Sequence, residues 1–270
     1  MPMDLRPLLS ETFVAAAEHH ATLASTNDRA RQADAAGATV LPLLIVADRQ
    51  TAGRGRGANR WWTGRGGLAL SLLVDARSGA AARKSPLVGL AAALAVVQAV
   101  EPLLPGHVVG IHWPNDVFVG DRKLSGVLVE GLASGRCVVG IGVNANNSAA
   151  EAPEGLRETM TTLRDLCGTE VGTTGLMLGL LRHLESALRL LAFRPAAVGE
   201  RAHQACLQRG RELSVRQGPA TLRGWCAGIA PDGALLLRTA EGEVAVYWGM
   251  LDHKERSTRH GTTAPECPAI

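Results

Sequence analysis

A short segment rich in glycine and arginine, residues 53–62, most constrains how this chain can fold. It reads Gly-Arg-Gly-Arg-Gly-Ala-Asn-Arg-Trp-Trp. Between Arg49 and Val74 there are five arginines and no acidic residue. Such a segment is too polar and too rich in conformationally free glycine to be a core strand. Because glycine-rich backbones and guanidinium groups both bind phosphate or carboxylate, we predict a mobile cationic loop that closes over an anion. We refer to residues 53–62 as the Arg loop.

Two other interpretations of the Arg loop remain open but are weaker. A run of arginine and glycine is often only a solvated surface turn. A dinucleotide-binding site is suggested by Gly53 and Gly55 after an apparent strand, with Asp75 about 20 residues further on. However, Ala58 replaces the third glycine, and Asn59 to Trp62 do not open an apolar helix, which argues against that site.

A second segment, residues 113–130, predicts a β-hairpin. It reads Trp-Pro-Asn-Asp-Val-Phe-Val-Gly-Asp-Arg-Lys-Leu-Ser-Gly-Val-Leu-Val-Glu. Val117–Val119 and Lys123–Glu130 have strand composition, and Gly120-Asp121 has the composition of a turn.

Folding this hairpin brings Asp116 and Lys123 onto neighbouring strands, close to Asn115. A carboxylate, an amide and an ammonium on one sheet surface can hold a metal nucleotide and stabilise charge on a transferred group. An exposed Asp–Lys pair is by itself usually a surface pair worth ~0–1 kcal/mol. The hairpin therefore gains significance only together with the Arg loop.

The remaining pattern predicts an α+β fold, with a mixed β-sheet flanked by helices and a small C-terminal β-barrel. Expected strands are Val40–Ala47, Leu68–Val74 and Val138–Val143. Expected helices run from a capping box at Ser25 and Asp28 to Gly37, from Ser85-Pro86 towards Pro102, and along Leu176 to Leu191 before Pro195. After Arg211, short strands with turns at 232–233 and 241–242 predict the barrel. We expect a catalytic domain over 1–204, a barrel domain over 205–252 and a disordered tail over 253–270.

Composition narrows the class of protein. A net charge of +3 gives no global case for a polyanion partner. The longest apolar stretch, Leu87 to Val97, is too short for a bilayer, so we expect no membrane association. The eight histidines and five cysteines show no zinc spacing, and a reducing cytoplasm suits the cysteines better than a disulfide framework. The cysteines are Cys137, Cys167, Cys206, Cys226 and Cys267.

Four separated segments, in order, resemble the biotin–protein ligase family. They are Ser25-Thr26-Asn27, then Gln50 with the Arg loop through Trp61, then Trp113-Pro114-Asn115-Asp116 with Lys123 and Gly126, and last Gly140-Ile141-Gly142-Val143-Asn144. With a C-terminal stretch similar to the family's small barrel, the resemblance covers roughly residues 20 to 251. It implies a class II synthetase-like catalytic domain followed by an SH3-like barrel.

The resemblance implies an ATP-dependent, AMP-forming ligase that converts biotin to biotinyl-5′-AMP. The biotinyl group then passes to a lysine of a biotin carboxyl carrier domain of a carboxylase. Mg²⁺ is expected to arrive with ATP, with Asp116 as the candidate ligand. A homodimer through an edge strand is also favoured by the resemblance.

The resemblance also assigns roles to residues. Catalytic roles fall to Lys123, Arg56 and Asp116. Biotin-binding roles fall to Ser25, Thr26, Asn27, Gln50, Gly53, Arg54, Lys123 and Gly126. ATP or adenylate-binding roles fall to Arg56, Trp61, Asn115, Asp116 and Asn144.

Several of these residues have a purely structural alternative. Ser25 can serve as a helix N-cap alone, and Gln50 can be a surface residue. Trp61 and Trp62 can be core anchors of the loop, which we favour for at least one of them. Asn144 can cap a strand end.

Three departures or omissions relative to the family affect the expected function. His112 stands where the family often carries lysine, which removes one permanent charge near the phosphates. Ala58 stands where many relatives have glycine, which predicts a stiffer loop. Only 24 residues precede Ser25, so we expect the ligase without the family's DNA-binding domain and without specific DNA binding.

Two other functions compete with biotin ligation. A lipoate or octanoate ligase of the same fold needs a long apolar slot and has no use for Gln50 and the Arg loop. The intact Lys123 and Asp116 argue against a non-catalytic biotin sensor, and the expected absence of the DNA-binding domain argues against a nucleic-acid-binding repressor.

Overall fold

The computed structural model describes residues 3–75 and 86–251, which form two β-sheets and several helices. In the first sheet the strands are β1 (Ala16–His20), β2 (Leu43–Ala47), β3 (Leu68–Asp75), β4 (Val109–His112), β5 (Asp116–Val119), β6 (Arg122–Gly131) and β7 (Arg136–Val143). The helices are α1 (Arg6–Glu11), α2 (Thr26–Ala35), α3 (Pro86–Val100), α4 (Glu154–Arg157), α5 (Leu163–Cys167), α6 (Thr173–Phe193) and α7 (Pro195–Gln204).

The first sheet is mixed, as predicted. Its seven described strands lie in the order β1-β2-β3-β7-β6-β5-β4. β1 and β2 are parallel, and the other neighbours are antiparallel. At one edge, the Ile111 N–H of β4 donates to the Ala205 carbonyl at 2.7 Å, so the segment after α7 covers that edge.

The C-terminal β domain, residues 212–251, is a second, antiparallel sheet. Its strands are β8 (Glu212–Gln217), β9 (Ala220–Ile229), β10 (Leu235–Thr239), β11 (Gly242–Val246) and β12 (Met250–Leu251), in the order β11-β10-β9-β8-β12. This agrees with the expected small β domain. The proposed boundary near residue 205 falls just after α7, and the tail over 253–270 lies outside the described residues.

Helix α3 is the hydrophobic centre of the catalytic domain. Almost every residue from Leu87 to Val97 is buried, and the helix packs on the sheet, α6 and α7. The 18 residues from Pro86 to Leu103 have a mean hydropathy of 1.7, which is enough in length and composition for a membrane span. The apolar stretch from Leu87 to Val97 is thus part of a longer window, and the expected absence of membrane association stays a prediction. About 67% of the window is buried inside the protein, which is typical of a core helix.

The other predicted elements differ from expectation mainly at their ends, whereas β1, β4, α1, α4, α5 and α7 were not predicted. Ser25 occupies the N-cap position of α2, but its side chain makes no capping hydrogen bond, so the predicted capping box does not form. The second strand begins at Leu43 rather than Val40, just after Pro42, which has no N–H to donate to a ladder. Gly37 ends the helix region with a φ of 77°, as its composition predicted. Ser85 lies outside the described residues.

The C-terminal β domain packs directly on the catalytic domain. The buried Trp113 side chain donates from Nε1 to the carbonyl of Gly233 at 3.0 Å. Gly199 of α7 lies so close to the same turn that a Cβ there would be 2.4 Å from the Pro231 carbonyl oxygen. The turn 230–233 thus joins the β domain to the base of the predicted hairpin.

Candidate active site

A cavity of about 740 Å³ lies between the first sheet, the Arg loop and the C-terminal β domain. This is a size typical of small-molecule sites. It is lined by all the predicted site residues except Gly53: Ser25, Thr26, Asn27, Gln50, Arg54, Arg56, Trp61, Asn115, Asp116, Lys123, Gly126 and Asn144. Residues from four distant segments are thus brought to one place.

The β5–β6 hairpin forms with its turn at Gly120, where φ is 58°. Lys123 Nζ lies 2.6 Å from Asp116 Oδ2 and 5.7 Å from the centre of the Trp61 ring. A Cβ at Gly126 would lie 3.2 Å from both Lys123 Nζ and Asp116 Oδ1. A side chain at Gly126 would therefore crowd this ion pair, which explains the glycine.

One end of the cavity is polar and buried. The Gln50 side-chain oxygen accepts from the Thr26 N–H at 2.8 Å, and its Nε2 donates to Thr63 Oγ1 at 3.2 Å. Ser71, fully buried, lies 2.7 Å from both Thr26 Oγ1 and Asn27 Oδ1. Gln50 is therefore part of this polar network rather than a surface residue. Ser25 is buried beside it.

An ion-pair network ties the start of the Arg loop to the sheet. Arg54 Nη1 lies 2.9 Å from Glu130 Oε1 and 3.0 Å from Asp28 Oδ1. Asn27 Nδ2 donates to Glu130 Oε2 at 2.7 Å. Glu130 therefore holds both Asn27, at the polar end of the cavity, and the Arg loop, a role that the sequence analysis missed. Ser71 was missed as well.

The Arg loop is a compact turn closed by two backbone hydrogen bonds. The Gly55 N–H donates to the Asn59 carbonyl, and the Trp61 N–H to the Gly53 carbonyl, both at 2.9 Å. A Cβ at Gly53 would lie 2.4 Å from the Trp61 carbonyl oxygen, so this glycine permits a close backbone approach outside the cavity lining. Both tryptophans of the loop are half-buried and line the cavity. The core anchor among the described tryptophans is Trp113.

Arg56 bridges the two domains. Its Nη2 donates to the Gly249 carbonyl at 3.3 Å. Burial lowers the pKa of the Arg56 guanidinium, and the nearby Asp116 carboxylate opposes that shift. A partly desolvated guanidinium is well placed to bind an anion.

The two predicted asparagines already hold backbone groups. Asn115 Nδ2 donates to the Val127 carbonyl, and Asn144 Nδ2 donates to the Lys123 carbonyl at 3.4 Å. Both asparagines also line the cavity. A purely structural cap is therefore not the whole description of Asn144, because it also borders the space open to a ligand. His112, where a lysine was expected, stacks on Phe118 at 4.4 Å between ring centroids.

Two cavity walls were not foreseen. Leu156, Thr159 and Met160 approach Lys123, whose N–H donates to the Thr159 carbonyl at 2.9 Å. The C-terminal β domain contributes Arg216, Gly218 and residues 248–251. Neither segment carries a motif; only the folded chain brings them to the cavity.

Among residues 3–75 and 86–251, no group of three or more His, Cys, Asp or Glu side chains could hold a metal ion. Asp116 is the one carboxylate among the described cavity residues, and it is paired with Lys123. This donor set does not form a protein cage for Mg²⁺. It fits an ion held chiefly by substrate phosphates, as Mg²⁺ often is. The four described cysteines are free thiols.

Comparison with known proteins agrees with this geometry. Residues 21–146 match the Biotin/lipoate A/B protein ligase family. The chain is 31% identical over 211 residues to a biotin–[acetyl-CoA-carboxylase] ligase of Paracoccus denitrificans, covering 75% of this chain and 86% of that protein. It is 32% identical to a bifunctional ligase/repressor BirA of Bacillus spizizenii, covering 76% of this chain but only 64% of that protein.

The solved structures include a biotin protein ligase from Aquifex aeolicus in complex with biotin and ATP. It superposes with a TM-score of 0.77 at 27% identity, over 88% of this chain and 97% of that one. The matched residues and the fold place the chain in the class of biotin/lipoate A/B protein ligases. Within that class, the chain belongs to the biotin–protein ligase family.

Proposed function

We propose that this chain activates biotin with ATP to biotinyl-5′-AMP and transfers the biotinyl group to a lysine of a carrier domain. The observation that carries the proposal is the Lys123–Asp116 pair. Lys123 Nζ and Asp116 Oδ2 lie 2.6 Å apart in the cavity. A buried polar network lies at one end of this cavity, and Arg56 lies towards the C-terminal β domain.

The polar end suits the ureido group of biotin. Thr26 and Gln50 line the cavity with a hydroxyl and an amide group, which are hydrogen-bonded to each other, and the fully buried Ser71 holds the Thr26 hydroxyl at 2.7 Å. A buried polar site prefers a ligand that replaces these hydrogen bonds in kind. Leu70, Ile141 and the Trp61 ring provide apolar surface in the same cavity for the thioether ring and the acyl chain.

In the first half-reaction a biotin carboxylate oxygen attacks the α-phosphorus of ATP, and pyrophosphate leaves. Two anions must approach each other, so fixed cations lower the barrier. The Lys123 ammonium can donate a hydrogen bond to the biotin carboxylate before the reaction. After adenylate formation it can donate to the oxygen that joins the acyl carbon to phosphorus. Arg56 can bind the phosphate from the other side. Any Mg²⁺ supplies charge neutralisation on the phosphates when ATP brings it to the site.

In the second half-reaction the amine of the carrier lysine attacks the carbonyl carbon of the mixed anhydride. The carbon–oxygen bond to AMP breaks, and an amide forms. The attacking nitrogen must lose a proton, which Asp116 can accept because its carboxylate lies in the described cavity.

The competing functions fit the cavity less well. Lipoate and octanoate have no ureido group, so at the polar end they would offer no hydrogen-bonding partner to Thr26 and Gln50, which line the cavity. A sensor without chemistry has no need of Lys123 and Asp116 in contact.

Parallel assays with biotin, lipoate and octanoate test this proposal. Pyrophosphate release, AMP formation and labelling of a biotin carboxyl carrier domain are measured for each acid. We expect all three signals with biotin and none above background with the others. Faster turnover of lipoate or octanoate contradicts biotin specificity. Biotin binding without AMP formation favours the sensor.

The partner we propose is therefore a carboxylase carrier domain, in a reducing cytoplasm that suits the free thiols of the described residues. A homodimer through an edge strand stays a prediction. The edge at β4 is covered by residues 205–207, so β1 is the better candidate for such pairing.

A further inference from the structure

An exposed apolar patch lies on the C-terminal β domain at the mouth of the cavity. Trp248 is 59% exposed and Met250 is 49% exposed, and both line the cavity. Tyr247, beside them in the chain, is 52% exposed. Large apolar side chains exposed together, rather than singly, commonly mark a binding surface.

The backbone under this patch is held in place. Gln217 Nε2 donates to the Trp248 carbonyl at 2.7 Å, and the Gly249 carbonyl accepts from Arg56. A Cβ at Gly249, where φ is 150°, would lie 2.4 Å from Val215 Cγ1. The patch therefore lies on a fixed turn that also contacts the Arg loop. Because this turn is already ordered, binding of a partner there costs less conformational entropy.

The mouth of the cavity also carries surplus positive charge. Arg54 is offset by Asp28 and Glu130. Three further cationic side chains, those of Arg56, Arg60 and Lys123, line the described cavity, where they meet the single carboxylate of Asp116. A biotinyl-AMP molecule carries one negative charge, so the mouth stays positive after pyrophosphate leaves. An acidic surface is the complement of such a mouth.

We propose that Trp248 and Met250 form the docking surface for the acceptor protein, an acidic, lysine-bearing carrier domain. This inference rests on the proposed function. A lysine side chain has only a four-carbon stem, so its domain must sit against the mouth for the amine to reach the anhydride beside Lys123. The patch borders that mouth. Together with the exposed Tyr247, Trp248 and Met250 offer more surface than the adenine base of one nucleotide would cover.

A matched pair of tryptophan variants tests the proposal. Trp225 is 57% exposed on strand β9 of the same domain but does not line the cavity. Trp248→Ala and Trp225→Ala therefore remove equally exposed indoles from different places. The complex of each variant with biotinyl-AMP is formed first and then titrated with a biotin carboxyl carrier domain. Pyrophosphate release without carrier is measured separately at varied ATP.

We expect Trp248→Ala to raise the KM for the carrier by about ten-fold or more, since buried tryptophans dominate many interfaces. The KM for ATP should change much less, and Trp225→Ala should match the wild type in both assays. Raising the ionic strength should increase the KM for the carrier further. A Trp248→Ala variant that modifies the carrier like Trp225→Ala overturns the proposal. So does an effect on the KM for ATP as large as that on the carrier, which assigns Trp248 to the nucleotide.

These outcomes are separate from failure of the proposed function. A wild-type protein that forms no biotinyl-AMP contradicts biotin ligation itself. If the wild type forms biotinyl-AMP and Trp248→Ala modifies the carrier as well as the wild type does, only the docking surface is contradicted.

Discussion

The Lys123 ammonium is the single group on which the proposed chemistry most depends. It contacts Asp116, approaches the face of Trp61 and lies in the cavity whose polar end we propose for biotin. We expect Lys123→Ala to slow pyrophosphate release by about 10²–10³, the usual effect of removing one preorganised donor. Biotin binding, measured by calorimetry, should weaken far less. Arg122→Ala, an exposed neighbour on the same strand, serves as the control. Near wild-type pyrophosphate release by Lys123→Ala would remove Lys123 from the centre of the mechanism.

Gly142 makes a second prediction about a single residue. A Cβ there would lie 2.3 Å from Trp61 Cε2, so Gly142→Ala must displace the indole of Trp61, which lines the cavity. Displacement of a positioning side chain by about 1 Å can cost up to ~100-fold in activity. We expect the KM for biotin to rise by about ten-fold or more. Gly155→Ala, where a Cβ meets nothing within 4 Å, should leave it unchanged. Equal KM values for the two variants would mean that Trp61 does not shape the biotin pocket.

The sequence predicted residues with local motifs better than residues with distant partners. Asp116 and Lys123 were placed on neighbouring strands because they lie only seven positions apart in one hairpin. Ser71 and Glu130 were not found, since their partners lie 44 and 103 residues away along the chain. The folded loop shows that Gly53 permits a close backbone contact with Trp61, while its assignment to ligand binding stays a prediction.

The Arg loop is the element whose behaviour matters most. Disorder of this loop without ligand stays a prediction. The structure alters its expected cause from repulsion between arginines to the backbone entropy of the glycines. Arg54 is already offset by two carboxylates, so repulsion among the arginines is smaller than their sequence suggests. The cost of ordering the loop is then mainly the backbone entropy of its glycines, about 1–2 kcal/mol per residue. Biotin and the adenylate should offset that cost. Tryptic cleavage within the loop should therefore slow when biotin and ATP are present.

Arg56→Gly tests whether the loop retains the intermediate. The variant loses both the anion-binding guanidinium and the contact with the Gly249 carbonyl. We expect it still to form biotinyl-AMP but to release it, so that lysines of a bystander protein become biotinylated. Arg65→Gly removes an exposed arginine outside the described cavity lining and should label no bystander. Equal cleavage with and without ligands, together with no bystander labelling by Arg56→Gly, would leave the lid without support.

Elements were easier to predict than the surfaces between them. Alternating and continuous apolar runs located β3, β7 and α6, because burial imposes their periodicity. Strand ends shifted by a few residues where proline or tertiary contacts decided them. The cavity walls at 156–160 and 248–251 had no periodic or motif signal, since each becomes a wall only when packed against another part of the chain.

Packing between the two domains links the C-terminal β domain to the reacting hairpin. The buried Gln208 side chain accepts from the Trp113 N–H at 2.6 Å, and Trp113 in turn donates to Gly233. Trp113 immediately precedes the Pro114-Asn115-Asp116 segment. A shift of the turn 230–233 should therefore move Trp113 and change the position of Asp116 relative to Lys123. The turn itself lines no part of the described cavity.

Gly199 of α7 allows this domain contact to be tested through the sign of a stability change. Gly→Ala inside a helix ordinarily stabilises a protein by about 0.5–1 kcal/mol. Gly179 of α6, where a Cβ meets nothing within 4 Å, should follow that rule. At Gly199 a Cβ would lie 2.4 and 2.5 Å from the carbonyl oxygens of Pro231 and Ala230, and backbone atoms cannot move aside as a flexible side chain can.

We therefore expect Gly199→Ala to lower the free energy of unfolding by about 1–3 kcal/mol, the usual cost of overpacking. Gly179→Ala should raise it. Urea denaturation of both variants measures the two signs. Because the strained turn adjoins Trp113, Gly199→Ala should also slow pyrophosphate release, whereas Gly179→Ala should not. A stability gain in both variants would show that the β domain does not press on α7 in solution, and the hairpin would then be independent of it.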